Sequence, residues 1–171
     1  MNTRRSQLPR IAPDASRFRL RIGRSGIHGV GVFAEQAIPG GRKVIEYTGA
    51  RVGRPELKRR LEKILKQHKR MPRYLFRLRR SLWLDGEIGG CGAERINHCC
   101  DPSLRVRVIR RHILLFSLRP ISAGEELTFD YRYRARAMRV PCQCGSAQCR
   151  GTINVYRRKA NLPPGLEKRF S

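Results

Sequence analysis

Three cysteines, Cys142, Cys144 and Cys149, stand in a C-x-C-x4-C pattern within eight residues, and they constrain the fold more than any other feature of the chain. Thiols this close together in a segment poor in apolar residues have little packing purpose, so the backbone must wrap around something they share. A closed zinc site takes four ligands in a tetrahedral array, which leaves one ligand to come from elsewhere. Cys91, His98, Cys99 and Cys100 are the candidates that spacing leaves open. A redox pair is the poorer reading, because C-x-x-C after a strand is absent. Disulfides are also disfavoured. The segment MNTRRSQLPRIAPDASR lacks the apolar stretch of a secretory signal, and no apolar run approaches the ~18 residues of a membrane span. A soluble, intracellular protein with no membrane partner is expected.

At 171 residues the chain has room for one core, and a monomer is the expectation. Residues 1–17 are basic and contain proline, which predicts a flexible arm. Residues 18–134 form the main body. FRLRI alternates, VGVFAEQAI runs into a turn at Pro39-Gly40-Gly41, and KVIEYTG resumes as a strand. Leu57, Leu61, Ile64 and Leu65 then recur at helical spacing behind Pro55, predicting one amphipathic helix to about Met71 whose apolar stripe packs on the core. YLFRLRRSLWLD, LRVRVI and HILLFSL read as strands again. Residues 135–155 form the small cysteine-stapled lobe, and 156–171 a basic tail. The fold class is mostly β.

The formal net charge is +25, from 38 Lys+Arg against 13 Asp+Glu. A surface so basic attracts polyanions at low salt, which points to a nucleic-acid or other acidic partner. Charge speaks to partners and not to reaction.

Four strings carry chemistry: Gly29-Val30-Gly31-Val32-Phe33-Ala34, Tyr47-Thr48-Gly49, Asn97-His98-Cys99-Cys100-Asp101-Pro102, and Gly124-Glu125-Glu126-Leu127-Thr128-Phe129-Asp130-Tyr131. Each is weak alone. In this order, followed by the C-x-C-x4-C module and Arg150-Gly151, they resemble the SET-domain protein-lysine methyltransferases with a post-SET zinc module, over residues 18–153. The resemblance implies a β-clip fold of several small sheets, with a knot-like crossing of the N-H-x-C and final tyrosine segments. It makes 18–134 the SET domain and 135–155 the post-SET module.

It also implies S-adenosylmethionine and zinc as cofactors, a protein substrate with a target lysine, and Cys100 as the fourth metal ligand beside Cys142, Cys144 and Cys149. Gly29, Gly31, Tyr74, Asn97 and His98 are implied cofactor contacts, the glycines because a missing side chain lets backbone approach a ligand closely. Tyr131 is the implied catalytic residue, Tyr47 a second tyrosine of the lysine channel, and Phe129 a channel residue whose lack of a hydroxyl accompanies di- or trimethylation. Methyl transfer to lysine needs an uncharged amine, and a site that strips water from a group of pKa ~10.4 favours that form.

The chain departs from the family where Asn, any residue, Ala, Arg, Phe, Ile is usual before Asn97. Here Cys91-Gly92-Ala93-Glu94-Arg95-Ile96 stands, and Ser103 replaces a usual asparagine. The competing reading is a non-catalytic, basic, zinc-containing nucleic-acid-binding or scaffold module on a degenerate SET fold. It accounts for charge and cysteines but not for the tyrosines, glycines and Asn97-His98 in family order. A bacterial protein of this kind is expected in the cytoplasm and a eukaryotic one in the nucleus or on chromatin.

Overall fold

The computed structural model describes residues 10–68, 74–134 and 139–155, and within α1 the side chains of residues up to 63. Eleven regular elements follow one another as β1 (Leu20–Arg24), β2 (Val30–Ala34), β3 (Lys43–Tyr47), β4 (Ala50–Gly53), α1 (Arg54–His68), β5 (Leu75–Arg79), β6 (Leu82–Asp85), β7 (Asn97–His98), β8 (Leu104–Ile109), β9 (His112–Ser117) and β10 (Glu126–Phe129). Short 3-10 turns occupy Pro13–Ala15 and Ala93–Arg95. The class is mostly β with one helix, as the alternation predicts.

The strands form two sheets. The larger runs β1-β2-β10-β8-β9-β3, with β7 joined to β10, and the smaller runs β4-β6-β5. Alternation in LRVRVI puts Leu104 in the core while Arg105 and Arg107 stay exposed, and HILLFS buries Ile113, Leu115 and Ser117 in the same way. β8 and β9 meet through Arg110 and Arg111, whose φ values of 48° and 67° give the left-handed pair that suits the twist of a two-residue hairpin. Val32, Ile45, Ile96, Leu104, Ile113, Leu115, Ile121 and Leu127 fill one core from both ends of the chain. Each contributes about 1.5–3 kcal/mol of hydrophobic stabilisation.

α1 begins at Arg54 with Pro55 in its first turn, where a missing N–H costs nothing, and it buries Leu57 while packing against β4 and β6. Arg60 ties it to the smaller sheet by an ion pair to Asp85 at 2.8 Å. The expected helical positions Ile64 and Leu65 have side chains outside the described residues, as do the expected end of the helix at Met71 and the tail from 156.

Residues 10–17 were expected within the arm, yet they are docked. The Ala12 N–H donates to the Cys91 carbonyl at 2.9 Å, Ser16 bridges to Ile45, and Ile11 packs against Gly92, where no Cβ would fit beside it. Ile11 and Ala15 supply the apolar contact that a basic composition hides.

β10 places the site. It pairs antiparallel with β2 and parallel with both β7 and β8, setting Thr128 opposite Asn97 and Phe129 opposite His98. The N-H-x-C segment and the tyrosine segment thus lie side by side. Ser103 is satisfied in its buried position: its hydroxyl accepts the Thr128 N–H at 3.0 Å, and its own N–H donates to the Thr128 hydroxyl at 3.2 Å.

Candidate active site

An aromatic wall runs through the junction of the two sheets. Ring centroids step from Tyr47 to Phe76 (5.5 Å), Phe76 to Phe129 (6.2 Å), Phe129 to Tyr131 (4.8 Å) and Tyr131 to Tyr133 (5.8 Å), with His98 edge-on to Tyr131 at 5.4 Å. The strand period generates it, since Phe129, Tyr131 and Tyr133 alternate along one segment and Tyr74 and Phe76 along another. Tyr131, Tyr47 and Phe129 are therefore brought together. Phe76, inside YLFRLRRSLWLD, and Tyr133 join the wall without having been named as site residues, although each sits two residues from a named aromatic.

Both tyrosine hydroxyls are held. Tyr131 donates to the Ile96 carbonyl at 2.9 Å and Tyr47 to the Tyr74 carbonyl at 2.7 Å. Burial raises the Tyr131 pKa well above the usual tyrosine value, and burial with the nearby Glu94 carboxylate does the same for Tyr47. Neither ionises at neutral pH. Each remains a protonated hydroxyl whose oxygen can still accept a hydrogen bond.

Asn97 and His98 face different partners. The Asn97 Nδ2 lies within 2.9–3.2 Å of the Ser25 hydroxyl, the His28 and Val30 carbonyls and the Glu126 carboxylate, so its two protons pin the β1–β2 turn. The His98 Nδ1 accepts the Tyr131 N–H at 3.1 Å, and burial lowers its pKa to about 4. It is neutral at physiological pH, so its 3.5 Å approach to Asp130 is no salt bridge there. The remaining proton sits on Nε2, which points at the Cys100 sulfur 3.4 Å away.

Gly29 and Gly31 owe their identity to different causes. Gly29 has a φ of +54° with open space where a Cβ would stand, the conformation a tight turn demands. A Cβ on Gly31 would run into the Glu126 carboxylate, which accepts from the Ser25 hydroxyl at 2.8 Å and from Asn97 at 2.9 Å. Its missing side chain makes room for Glu126. Gly31→Ala is expected to break this network and cost about 2 kcal/mol of stability, read by denaturant unfolding; an unchanged midpoint would contradict it.

The four sulfurs of Cys100, Cys142, Cys144 and Cys149 all lie within 4.8 Å of one another, with Cys100 and Cys142 3.7 Å apart. Ligands on a tetrahedron with Zn–S bonds of ~2.3 Å stand about 3.8 Å apart, so the donor set fits zinc. Of the candidates left open by spacing, Cys91 instead donates its thiol proton to the Glu46 carbonyl at 2.9 Å. Arg150, immediately after Cys149, clamps Asp130 with two hydrogen bonds of 2.8 and 3.0 Å. A second tie thus holds the cysteine lobe to the segment carrying Tyr131.

Tyr74 precedes β5 with a φ of 64°, an uncommon conformation for a residue with a side chain. Its carbonyl accepts the Tyr47 hydroxyl and the Gly86 N–H, and its own hydroxyl accepts from Arg95 at 3.0 Å.

A mostly β fold in which β7, carrying Asn97 and His98, pairs in parallel with β10 two residues before Tyr131, with four thiols gathered around Cys100, is of the SET type. The chain belongs to the SET domain family, whose model matches residues 29–132. Histone-lysine N-methyltransferase ATX2 of Arabidopsis thaliana is 39% identical over 156 residues, covering 87% of this chain and 14% of that protein. Histone-lysine N-methyltransferase, H3 lysine-4 specific, of Saccharomyces cerevisiae is 38% identical over 138 residues, covering 77% of this chain and 13% of that protein. This chain therefore spans about one seventh of the length of those relatives. The crystal structure of KRYPTONITE in complex with mCHG DNA and SAH superposes with a TM-score of 0.65 at 27% identity, covering 81% of this chain and 29% of that one. No helix among the described residues is long and apolar enough to cross a membrane.

Proposed function

We propose that this chain is an S-adenosylmethionine-dependent protein-lysine N-methyltransferase acting on a histone or another nucleic-acid-associated protein. The observation that carries the reading is the aromatic wall from Tyr47 to Tyr131 built against Asn97 and His98, in a chain of a family whose matched relatives are named as histone-lysine methyltransferases.

Bound S-adenosylmethionine supplies an electrophilic methyl group on a positively charged sulfonium. The chain's residues do the rest. Gly29, Gly31, Tyr74, Asn97 and His98 line the cofactor end, with Asn97 fixing the β1–β2 turn and His98 fixing the backbone of Tyr131. Phe76, Phe129, Tyr131 and Tyr47 enclose the lysine stem and exclude water, which favours the neutral amine. The Tyr131 hydroxyl, its proton committed to Ile96, offers lone pairs to orient that amine. Cys100, Cys142, Cys144 and Cys149 hold one structural zinc.

Phe129 leaves room beside Tyr131 for a water or an additional methyl, and we assign di- or trimethylation on that basis. Phe129→Tyr is expected to shift the product toward monomethyl-lysine by mass spectrometry. Strictly monomethylated product from the unaltered chain would overturn the assignment.

A basic enzyme repels a basic histone tail unless an anion mediates. Arg105, Arg107, Arg110 and Arg111 are all exposed along the β8–β9 hairpin, and such cations bind phosphates in a salt-dependent way. The chain acts as a monomer, in the cytoplasm of a bacterium or on the chromatin of a eukaryote. Transfer of labelled methyl from S-adenosylmethionine to free and to DNA-bound histone tests the whole reading. We expect preference for the DNA-bound form at low salt, falling by about tenfold or more between 50 and 200 mM salt. Equal rates on both forms at every salt concentration would rule out a role for nucleic acid, and no transfer to either would rule out histone as the substrate.

A further inference from the structure

Arg95 occupies a position where the family usually places phenylalanine, and its surroundings are unusual for an arginine. The turn Ala93–Arg95 is entered through Gly92 at φ 102°, which swings Arg95 over Tyr74. The guanidinium carbon lies 5.0 Å from the centre of the Tyr74 ring, and Nη1 donates to the Tyr74 hydroxyl at 3.0 Å. The Nε proton is buried and makes no hydrogen bond among the described residues. Glu94 Oε1 stands 3.5 Å from Nε, near enough for attraction but not aligned to accept, while Oε2 is taken by the Gly92 N–H at 2.8 Å.

A buried guanidinium N–H without an acceptor is costly, and its natural complement is an anion that presents paired oxygens in the guanidinium plane. S-adenosylmethionine has one anionic group, the α-carboxylate of its amino-acid end. Its sulfonium is positive, and its ribose and adenine are neutral. We infer that Arg95, steered by Tyr74, binds the α-carboxylate of the methyl donor, a role the usual phenylalanine cannot fill. The inference rests on the proposal that Tyr74 lines the cofactor site. Glu94 flanks the buried Nε as a counter-charge that orients the guanidinium, and the third of the side chain that stays exposed is the part that meets the ligand's carboxylate.

The test crosses two ligands with three proteins. S-adenosylmethionine and its decarboxylated analogue are titrated by calorimetry into the zinc-loaded chain and into Arg95→Phe and Arg95→Lys, with unfolding curves on each. Removing the carboxylate is expected to weaken binding to the unaltered chain by about tenfold or more, and to Arg95→Phe by less than about threefold. Arg95→Lys, which keeps the charge but not the planar fork, is expected to fall between, and it carries the test should Arg95→Phe fail to fold. The same carboxylate penalty in all three folded proteins overturns the assignment while leaving the methyltransferase reading intact. An unaltered chain that binds neither ligand overturns both.

Discussion

Replacing Tyr131 with phenylalanine is expected to lower kcat by about 10²–10³-fold while leaving S-adenosylmethionine affinity within about threefold of the unaltered chain. The magnitude is that of removing one preorganised polar group from a water-excluded site. The substitution deletes a hydroxyl whose proton is committed to the Ile96 carbonyl at 2.9 Å and which, in the proposed function, orients the amine through its lone pairs. The Tyr131 ring contacts with His98 and Phe129 survive, so the wall stays in place. Stability is expected to drop by only about 1 kcal/mol, the value of an ordinary hydrogen bond. Single-turnover rates beside calorimetric affinities check this. A kcat within threefold of the unaltered chain would transfer the catalytic role to another group, with Tyr47 the first to examine.

The second large effect concerns the metal. Cys144→Ser is expected to reduce zinc from about one per chain to a small fraction and to abolish measurable methyl transfer. A structural zinc contributes folding free energy outright, on the order of 10 kcal/mol in small metal-dependent modules. In this chain that energy would act beside the proposed catalytic segment. Cys100 lies two residues beyond His98, its sulfur is 3.4 Å from the His98 ring, and Arg150 beside Cys149 grips Asp130 next to Tyr131. Losing the cluster frees both ties at once. Cys91→Ser is the control, since its thiol is spent on the Glu46 carbonyl and zinc content should be unchanged. Metal analysis and activity on the same samples decide it. A Cys144→Ser protein that keeps its zinc, or keeps full activity without it, would refute the cluster's assigned role.

Much of this architecture is legible in the sequence because its signals are local. The alternation of LRVRVI and HILLFSL gives strands, the spacing of Leu57 and Leu61 gives the helix, and C-x-C-x4-C gives a shared ligand. The fourth cysteine is not legible from spacing, because Cys100 is 42 residues from Cys142 and only the parallel pairing of β7 with β10 brings its strand beside the tyrosine segment. Gly31 shows a different limit. A glycine announces a close approach but not by what, and here the neighbour is the Glu126 carboxylate. The departure at Glu94-Arg95 was legible as a departure. Its physical content, a guanidinium over Tyr74 with an unmet N–H, emerges only from the turn that carries it. The docking of residues 10–17 was hidden because two apolar side chains, Ile11 and Ala15, outweigh a basic and proline-bearing stretch.

Titrating the purified chain with S-adenosylmethionine, with zinc measured on the same sample, decides whether it is a methyltransferase. Saturable binding at one site per chain is expected, in protein that carries about one zinc, as a closed four-thiolate centre requires. A folded, zinc-loaded chain that binds no S-adenosylmethionine would contradict it and would leave a basic SET-fold scaffold in place of an enzyme.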